Sequence, residues 1–469
     1  MGFAMNSVIN KINNDKVLQV IKPFLCGIDS YLVGGYLRDL FLGKESFDRD
    51  IILLNVDVEN LTRKIATEIG ASFVELDKDW GIYRLVLSDK KNYIDFARAI
   101  DNDLEKDIKR RDITINSIAF NLDSQSFYDP NDGIKDIKNG IIRKISEKNF
   151  TDDALRLLRV FRFQSTLGFK IDDETKQIAK KHAELIKNPA KERVNTELLK
   201  LFEGDNTAEA LNAMNEVGML EIIFPFVAEL KQIPPNSHHH LDLFNHSLET
   251  VKQIELIIKN LSENALNILN FSPYGSIKKL AYLKIGAFMH DIGKPATWTI
   301  DEETGRHRFI FHDSKGAELA PSYLKQLNFS KKQITYIKTL IKNHIYPSNV
   351  NLANDKSVMK FLRKMDNDTV DIIVLAMADR LSARGKDITD EIVAQNINQL
   401  NVLMAKYFEN LEALKPLPKL IDGHEIMNIL GIKPSPLLGK IISALKIEQE
   451  EGNISNYNEA VAFIKSFEL

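Results

Sequence analysis

Short apolar runs bounded by glycines and polar residues dominate the first part of the chain. Residues 31–33, 51–54, 73–76, 83–87 and 93–97 each have the length and composition of a strand. Apolar side chains recur at helical spacing in residues 7–28 and 58–69, and Gly70 ends the second of these stretches. The pattern predicts a small sheet with helices packed against it.

Helical periodicity replaces the short runs at about residue 150 and continues to the end of the sequence. Phe224-Pro225-Phe226 and the pair Pro234-Pro235 mark a boundary within it. A chain of 469 residues is long enough for several hydrophobic cores. We therefore predict an α+β fold in four regions: residues 1–148 with a small mixed sheet, and residues 149–235, 236–390 and 391–469, which are helical.

Composition narrows the class of protein without revealing a function. The content of 44% hydrophobic and 27% charged residues is ordinary for a soluble globular protein. A single cysteine excludes an intramolecular disulfide, and the sequence has neither an apolar run of membrane-spanning length nor a signal-peptide pattern, so we expect the cytoplasm. The net charge of −3 means that any nucleic acid must bind to local lysine and arginine patches.

The first candidate for chemistry combines a glycine pair with a carboxylate pair. Gly34 and Gly35 separate the first apolar run from a helical stretch, which suits a phosphate bound by backbone N–H groups. Asp48 and Asp50 stand at i and i+2 beside the second run, so both point to one face of a strand. Either feature alone is more often a plain turn or a solvated strand end, but together they favour Mg²⁺-dependent phosphoryl or nucleotidyl transfer.

A second polar motif begins with Arg110-Arg111-Asp112 and continues through Thr114 and Asn116. Arginine forks suit the oxygens of a triphosphate, and an Asp or Asn side chain can hold a sugar hydroxyl. The alternative is a charged helix start with Asp112 as its N-cap.

The motif DDALR contains Asp153 and Arg156, and we predict that it opens a helix. At i and i+3 the two side chains would project from one helix face. An acceptor beside a donor can match the Watson–Crick edge of a nucleobase. The alternative is an acidic first turn with an intrahelical ion pair.

Histidines and aspartates in the third region form a separate candidate metal site. It comprises His246, His290, Asp291 and Asp379, and two further histidines, His312 and His344, lie between Asp291 and Asp379 in the sequence. Imidazole and carboxylate groups are common metal ligands, although a single buried histidine is more often a satisfied core residue. Lys294 could contact a phosphate, but a solvated lysine at a helix end is the more common situation. The run His238-His239-His240 is interpreted as a loop.

The motifs of the first half resemble those of class II tRNA nucleotidyltransferases and bacterial poly(A) polymerases, in the polymerase-β-like superfamily. The quoted matches are GG-Y-LRD followed by DRD, then RRDITINSIA, then DDALR. The resemblance implies a nucleotidyltransferase head at residues 1–148 and a helical neck and body at 149–235. It implies that Asp48 and Asp50 hold Mg²⁺ and, more weakly, that Asp95 is a third catalytic carboxylate rather than a surface residue.

The same resemblance assigns nucleotide-binding roles. Asp112 and Asn116 would contact the sugar, Arg111 a phosphate, and Asp153 with Arg156 would select CTP or ATP without a nucleic-acid template. The remaining nucleotide-binding residues implied are Gly34, Gly35, Arg38, Arg159 and Arg162. Residues 192, 193 and 195 resemble a further neck motif with an assisting role.

Residues 240–385 resemble the HD phosphohydrolase superfamily, through HDIGKP with a preceding histidine and a later Ala-Asp pair. The resemblance implies one divalent metal on His246, His290, Asp291 and Asp379. It implies that His312 and His344 bind a second metal or a substrate phosphate. Attached HD domains are linked to removal of cyclic or terminal phosphates from RNA ends, and the C-terminal region resembles that of HD-containing relatives.

The expected activity is addition of C, C and possibly A to the 3′ end of tRNA, from CTP and ATP. In many CCA-adding relatives a flexible loop precedes the RRD segment, whereas here only residues 99–103 separate the preceding strand from that segment. A short loop is typical of CC-adding enzymes. Two alternatives stay open: an HD phosphohydrolase whose head only binds RNA or nucleotides, and a poly(A) polymerase, although those relatives usually lack an HD domain.

Overall fold

A computed structural model describes residues 2–235, 240–385, 388–414, 418–450 and 453–467. The chain forms two compact units, Met1–Pro225 and Phe226–Leu469. The predicted head and neck share the first unit, and the predicted HD and C-terminal regions share the second. Among the described residues, no helix is both long enough and apolar enough to cross a bilayer.

A seven-stranded mixed sheet organises the first unit. In spatial order it runs β3-β4-β5-β2-β1-β6-β7, and β2 with β5 is its one parallel pair. The strands are β1 (Ser30–Val33), β2 (Asp48–Leu53), β3 (Ser72–Asp77), β4 (Ile82–Val86), β5 (Tyr93–Arg98), β6 (Ala119–Asn121) and β7 (Phe127–Tyr128). The five predicted strands are confirmed, and Leu32, Ile51 and Phe96 lie fully buried in the core. The sequence analysis missed β6 and β7.

Six α-helices accompany this sheet. They are α1 (Gly2–Asn14), α2 (Lys16–Ile21), α3 (Gly35–Phe41), α4 (Val58–Ile69), α5 (Leu104–Lys109) and α6 (Gly133–Asn139). The prediction of one helix over residues 7–28 is wrong, because Asp15 is extended and caps α2 by accepting the N–H groups of Val17 and Leu18. A side chain that satisfies orphan helix donors ends one helix and starts the next, whatever the apolar period.

The second part of the first unit is helical, with a short parallel bridge of β8 (Ile141–Ile142) and β9 (Lys170–Ile171). Its helices are α7 (Glu147–Asp152), α8 (Leu155–Leu167), α9 (Asp173–Lys181), α10 (Lys191–Glu203), α11 (Thr207–Glu216) and α12 (Met219–Ile223). Leu157, Leu158 and Phe161 of α8 are fully buried, as are Leu198 and Leu201 of α10. These two helices carry polar side chains toward the head.

The described residues of the second unit form helices and one hairpin, β10 (Trp298–Ile300) with β11 (His307–Phe309). Its helices begin with α13 (Phe226–Leu230), α14 (Leu243–Ile257), α15 (Glu263–Asn270), α16 (Lys279–Met289), α17 (Lys294–Thr297), α18 (His312–Gln326) and α19 (Lys331–Asn343). They continue with α20 (Asp355–Met365), α21 (Thr369–Ser382), α22 (Asp390–Glu409), α23 (Gly423–Leu430), α24 (Pro436–Glu450) and α25 (Tyr457–Lys465). Every residue of α16 is buried, which makes it the central helix of the unit.

The border between the units lies at residues 225 and 226, earlier than the predicted border at 235. The Phe226 ring packs against Phe288 at 5.5 Å and Tyr323 at 5.2 Å between ring centroids, so α13 belongs to the second unit. The last three helices enclose a core of their own around Ile426 and Ile441. The finer borders at residues 148 and 390 stay predictions.

Candidate active sites

Three carboxylates meet on one face of the head sheet. Asp48 and Asp50 lie within β2 and project to the same side, and Asp50 lies in register with Asp95 on the parallel neighbour β5. One oxygen from each of the three lies within 4.8 Å of the others. Burial and the negative charge of Asp48 together raise the pKa of Asp50 to about 7, although the charge of Arg111 opposes the shift. An all-oxygen set with this mutual repulsion fits a divalent cation.

Asp95 has a partner that the sequence analysis did not identify. Arg84 on β4 lies directly across from it and donates two hydrogen bonds to its carboxylate, both of 2.7 Å. This bidentate pair neutralises the charge that would otherwise face Asp50. A catalytic role for Asp95 stays a prediction, and the ion pair makes it the weakest member of the three.

Arg49, between the two aspartates, points to the opposite face of the sheet and is buried. Its guanidinium lies 2.8 Å from Asp15, and it donates to the Phe47 carbonyl and the Asn92 side chain at 3.3 Å each. Tyr36 donates a 2.5 Å hydrogen bond to the same Asp15 carboxylate. The start of β2 is therefore anchored from behind, which fixes the direction of the carboxylates in front.

A glycine corner lies against these carboxylates. Gly34 has φ +78° and ψ −144°, and an added Cβ would lie 3.0 Å from Asp50 Oδ2 and 3.2 Å from Arg111 Nη1. Both the backbone conformation and the lack of space require glycine here. The backbone at Gly34 therefore lies beside Asp50 with no side chain between them, and this leaves space for a phosphate near the carboxylate.

A cleft of about 510 Å³ opens beside the corner, between the sheet and helices α8 and α10. Eight cationic side chains and five carboxylates line it, an excess that suits a triphosphate accompanied by divalent cations. The lining comprises Gly34, Gly35, Arg38, Asp48, Asp50, Asp107, Arg110, Arg111, Asp112, Asn116, Asp153, Leu155, Arg156, Arg159, Arg162, Phe163, Arg193 and Lys200. Every predicted nucleotide-binding residue is in this set.

Asp112 is the centre of a buried polar network within the cleft. Its carboxylate accepts hydrogen bonds from the Ile113 N–H at 2.9 Å, the Asn116 amide at 3.1 Å and Arg159 Nε at 2.7 Å. Burial alone would raise its pKa, but the charge of Arg159 and the hydrogen bonds lower it to about 2. Arg38 donates to Asn116 Oδ1 at 2.8 Å and extends the network toward the glycine corner. The alternative of Asp112 as a helix N-cap is wrong, because Asp112 follows α5.

Asp153 and Arg156 line the cleft, but the predicted helical geometry is wrong. Asp153 is extended, with φ −143° and ψ 97°, and lies between the end of α7 and the start of α8. Its carboxylate accepts a 2.8 Å hydrogen bond from Arg193, while Arg156 donates to the Arg110 carbonyl at 2.6 Å. The two side chains are therefore held by separate partners, and the intrahelical ion pair is also excluded.

The sequence analysis missed Glu197 of α10, although it lies two residues after the neck motif at residues 192, 193 and 195. Its carboxylate is buried and lies 3.5 Å from Arg159 Nη1 and 3.0 Å from Arg162 Nε. The Arg162 guanidinium also lies 3.9 Å from the centre of the Phe163 ring. Burial lowers the pKa of Arg162 to about 10, and Glu197 opposes that shift. A buried acid thus sets the position of two arginines that face the cleft.

The second unit brings the predicted histidine and aspartate residues into one buried cluster. His246 Nε2 lies 3.1 Å from Asp379 Oδ1 and 3.5 Å from Asp291 Oδ2. His290 Nε2 lies 3.1 Å from Asp291 Oδ2 and 3.6 Å from Asp379 Oδ1. Four side chains, from α14, from the two residues directly after α16 and from α21, thus converge on one point.

The auxiliary residues lie on the other side of Asp291. His312 Nε2 is 3.3 Å from Asp291 Oδ1, and His344 Nε2 is 3.8 Å from the same oxygen. Lys294 is buried, with Nζ 2.6 Å from Asp291 Oδ2, so it is not a solvated helix-end lysine. The two oxygens of Asp291 therefore face two different pairs of histidines.

Backbone carbonyls fix the orientation of three of these rings. The Nδ1 atoms of His290, His312 and His344 each lie 2.7 Å from a carbonyl oxygen three residues earlier in the chain. An Nδ1–H donor leaves the Nε2 lone pair directed at the carboxylates, which is the tautomer that a metal ligand needs. Without a cation, burial and His290 lower the pKa of His344 to about 4. The donor set fits divalent cations bound by imidazole and carboxylate.

The described part of the run His238-His239-His240 is not part of this cluster. His238 and His239 lie outside the described residues, and His240 is exposed ahead of α14.

Comparison with known proteins matches both halves of the chain to known families. Residues 30–143 match the family described as Poly A polymerase head domain, residues 168–231 match the probable RNA and SrmB-binding site of polymerase A, and residues 243–384 match the HD domain. An A-adding tRNA nucleotidyltransferase from Deinococcus radiodurans is 30% identical over 451 residues, 95% of this chain and 96% of that protein. The chain belongs to the class II tRNA nucleotidyltransferases with an HD domain.

Other relatives agree with this family. A CC-adding tRNA nucleotidyltransferase from Thermus thermophilus is 29% identical, with 94% of each chain covered. The fold matches the Thermotoga maritima CCA-adding enzyme solved in complex with tRNA, at a TM-score of 0.59 and 18% identity over 98% of each chain. The resemblance inferred from the motifs is thereby confirmed, and the protein is a nucleotidyltransferase enzyme. Both of its families use divalent metals.

Proposed function

We propose that this tRNA nucleotidyltransferase adds cytidines to the 3′ end of tRNA, using CTP and Mg²⁺ bound by Asp48 and Asp50. The single observation that carries the proposal is the carboxylate pair beside the glycine corner, in the wall of a cleft with excess positive charge. The relatives named as CC-adding and A-adding enzymes support the same substrate. The lone cysteine agrees with action in the reducing cytoplasm.

In this reaction the 3′ oxygen of the RNA forms a bond to the α-phosphorus, and the bond from that phosphorus to the bridging oxygen breaks. Pyrophosphate leaves, and the proton of the hydroxyl passes to solvent. Asp48 and Asp50 would hold the divalent cation, which would supply charge neutralisation and Lewis-acid activation of the hydroxyl. The chain contributes positioning: the glycine corner admits the triphosphate, Arg111 binds its oxygens, and Asp112 with Asn116 holds the sugar. Asp153 and Arg156 face the base.

The proposed product is CC rather than CCA. Residues 78–81, 87–92 and 99–103 connect the successive elements from β3 to α5, and none of these connections is long enough to form a mobile lever. Similarity does not decide the product, because a CC-adding and an A-adding relative are 29% and 30% identical. A tRNA lacking its CCA end should gain two nucleotides with CTP and none further when ATP is added. Extension by a third nucleotide with ATP would refute the CC-only proposal.

A variant tests the metal assignment directly. Asp48→Ala should abolish addition while leaving thermal unfolding and tRNA binding close to wild type, because Asp48 lies at the exposed start of β2. Glu45→Ala is the matched control, since Glu45 is an exposed acid just before the same strand. Activity retained by Asp48→Ala, or lost equally by Glu45→Ala, would contradict the role of the pair.

We further propose that the HD domain is a metal-dependent phosphohydrolase acting on RNA ends or nucleotides. The observation that favours it is the buried cluster in which Asp291 separates two pairs of histidine Nε2 atoms. Hydrolysis would join a water oxygen to phosphorus, break the phosphorus–oxygen bond to the sugar, and leave a protonated sugar hydroxyl. His246, His290, Asp291 and Asp379 would hold the divalent metal, which would supply Lewis-acid activation of the attacking water.

His290→Ala should remove phosphate release while CC addition continues at the wild-type rate. Asp48→Ala should show the reverse pattern. Loss of both activities in either variant would contradict two independent centres. Poly(A) polymerase activity is tested in the same assays, because extension with ATP alone would give a long product.

A further inference from the structure

The hairpin β10–β11 follows the HD motif directly and has one aromatic face. Trp298 pairs with Phe309, and Ile300 pairs with His307, so these four side chains lie on the same side of the hairpin. The rings of Trp298 and His307 lie 5.3 Å apart, centre to centre. We call these four residues the aromatic face. Thr299 and Arg308 form the opposite side.

This face is open to solvent. Trp298 is 36% exposed and Ile300 is 55% exposed, and the two residues after the hairpin, Ile310 and Phe311, are 59% and 75% exposed. Phe311 also has φ +61°, a left-handed conformation that is unfavourable for a bulky side chain. Contiguous exposed apolar side chains of this kind mark a binding surface.

The hairpin is connected to the metal cluster by two contacts. The Phe309 carbonyl accepts the hydrogen bond from His312 Nδ1, so the end of β11 orients a predicted metal ligand. The Phe309 ring lies 5.5 Å from Lys294 Nζ, and Lys294 Nζ lies 2.6 Å from Asp291. A molecule lying on the aromatic face would therefore have its far end near the cluster.

We propose that the aromatic face binds the base of a phosphorylated nucleotide or RNA end while its phosphate lies at the HD cluster. Flat bases stack on aromatic side chains with little dependence on sequence. A metal cluster for phosphate beside a stacking surface fits a base joined to a phosphate better than it fits a peptide. This inference rests on the proposed phosphohydrolase.

Hydrolysis of three substrates tests it. Trp298→Ala should raise KM about tenfold or more for 3′-AMP and for an RNA oligonucleotide with a 3′-phosphate, because a stacked base is lost. The same variant should leave hydrolysis of glycerol 2-phosphate, which has no base, unchanged. Thr299→Ala, on the opposite side of the same hairpin, should behave as wild type with all three. An RNA substrate affected while 3′-AMP is not would assign the face to RNA ends alone and exclude free nucleotides.

Fluorescence separates this inference from the hydrolase proposal. The chain has two tryptophans, so Trp80→Phe leaves Trp298 as the only one. With the metal removed by a chelator, 3′-AMP should quench its emission and glycerol 2-phosphate should not. No phosphate release with Mg²⁺, Mn²⁺, Co²⁺ or Ni²⁺ would refute the hydrolase, whereas quenching would still support base binding. Absence of quenching would overturn the stacking role. So would a Trp298→Ala variant that loses as much activity on glycerol 2-phosphate as on the substrates that carry a base.

Discussion

Replacing Gly34 with alanine tests the geometry of the transferase site most directly. The backbone at Gly34, with φ +78° and ψ −144°, lies in a region that side-chain-bearing residues rarely occupy, and the strain costs about 1–3 kcal/mol. The new Cβ would lie 3.0 Å from Asp50 Oδ2 and 3.2 Å from Arg111 Nη1, where ordinary contacts are 3.4–4 Å. Both functional groups must therefore shift by a few tenths of an ångström.

The expected loss of activity follows from that shift. A misplacement of about 1 Å can cost roughly 100-fold in rate, so a smaller displacement of both Asp50 and Arg111 should lower kcat roughly 10- to 100-fold. The assay is the initial rate of labelled CTP incorporation into tRNA that lacks its CCA end, measured beside urea unfolding of the same variant.

Gly43→Ala separates strain from the local clash. Gly43 also has positive φ, +74°, but an added Cβ there would meet nothing within 4 Å. This variant should lose about 1–2 kcal/mol of stability and keep its kcat. If Gly34→Ala keeps a rate within twofold of wild type, or if Gly43→Ala loses as much activity, then the glycine corner does not position the phosphate.

Further variants probe the cleft. Asp112→Asn removes a carboxylate whose folded pKa of about 2 lies below the ordinary 3.8. The ionised carboxylate therefore stabilises the fold above about pH 4, by roughly 2 kcal/mol, and this contribution is lost as the pH falls toward 2. Urea unfolding should show the deficit of the variant shrinking between about pH 7 and about pH 3, and a constant deficit would contradict the ionised state. Asp153→Ala should change the ratio of C to A incorporation more than the total rate, and Arg193→Ala should shift it in the same direction because Arg193 holds Asp153. Unchanged selectivity in both would exclude Asp153 from base recognition.

Much of the transferase site was predictable from local periodicity. The period of two along a strand placed Asp48 and Asp50 on one face, and the structure shows them there. The residues assigned to nucleotide binding from the motifs and the family resemblance all line one cleft, and their binding role stays a prediction. The common face of Asp48 and Asp50 was predictable because it depends only on neighbours in sequence.

The partners of those residues were not predictable in the same way. Arg84 pairs with Asp95 across two strands, and Glu197 positions two arginines from a helix far along the chain. Periodicity predicts on which face of its own strand or helix a side chain lies. It does not predict which residue of another strand or helix that side chain contacts. The break at Asp15 was missed for another reason, because its capping carboxylate interrupts an apolar period that continues through it.

The two centres differ in their donor atoms, and that difference predicts that metals will separate their activities. The head offers carboxylate oxygens alone, from Asp48 and Asp50, which suit Mg²⁺. The HD cluster combines carboxylates with four imidazoles, which bind transition metals more strongly. Protein stripped of metal and given Mg²⁺ alone should therefore regain CC addition but little phosphate release. Adding Mn²⁺, Co²⁺ or Ni²⁺ should then restore hydrolysis in the wild type and in Asp48→Ala, but not in His290→Ala. Full hydrolysis with Mg²⁺ alone would show that the imidazoles do not determine the metal of that site.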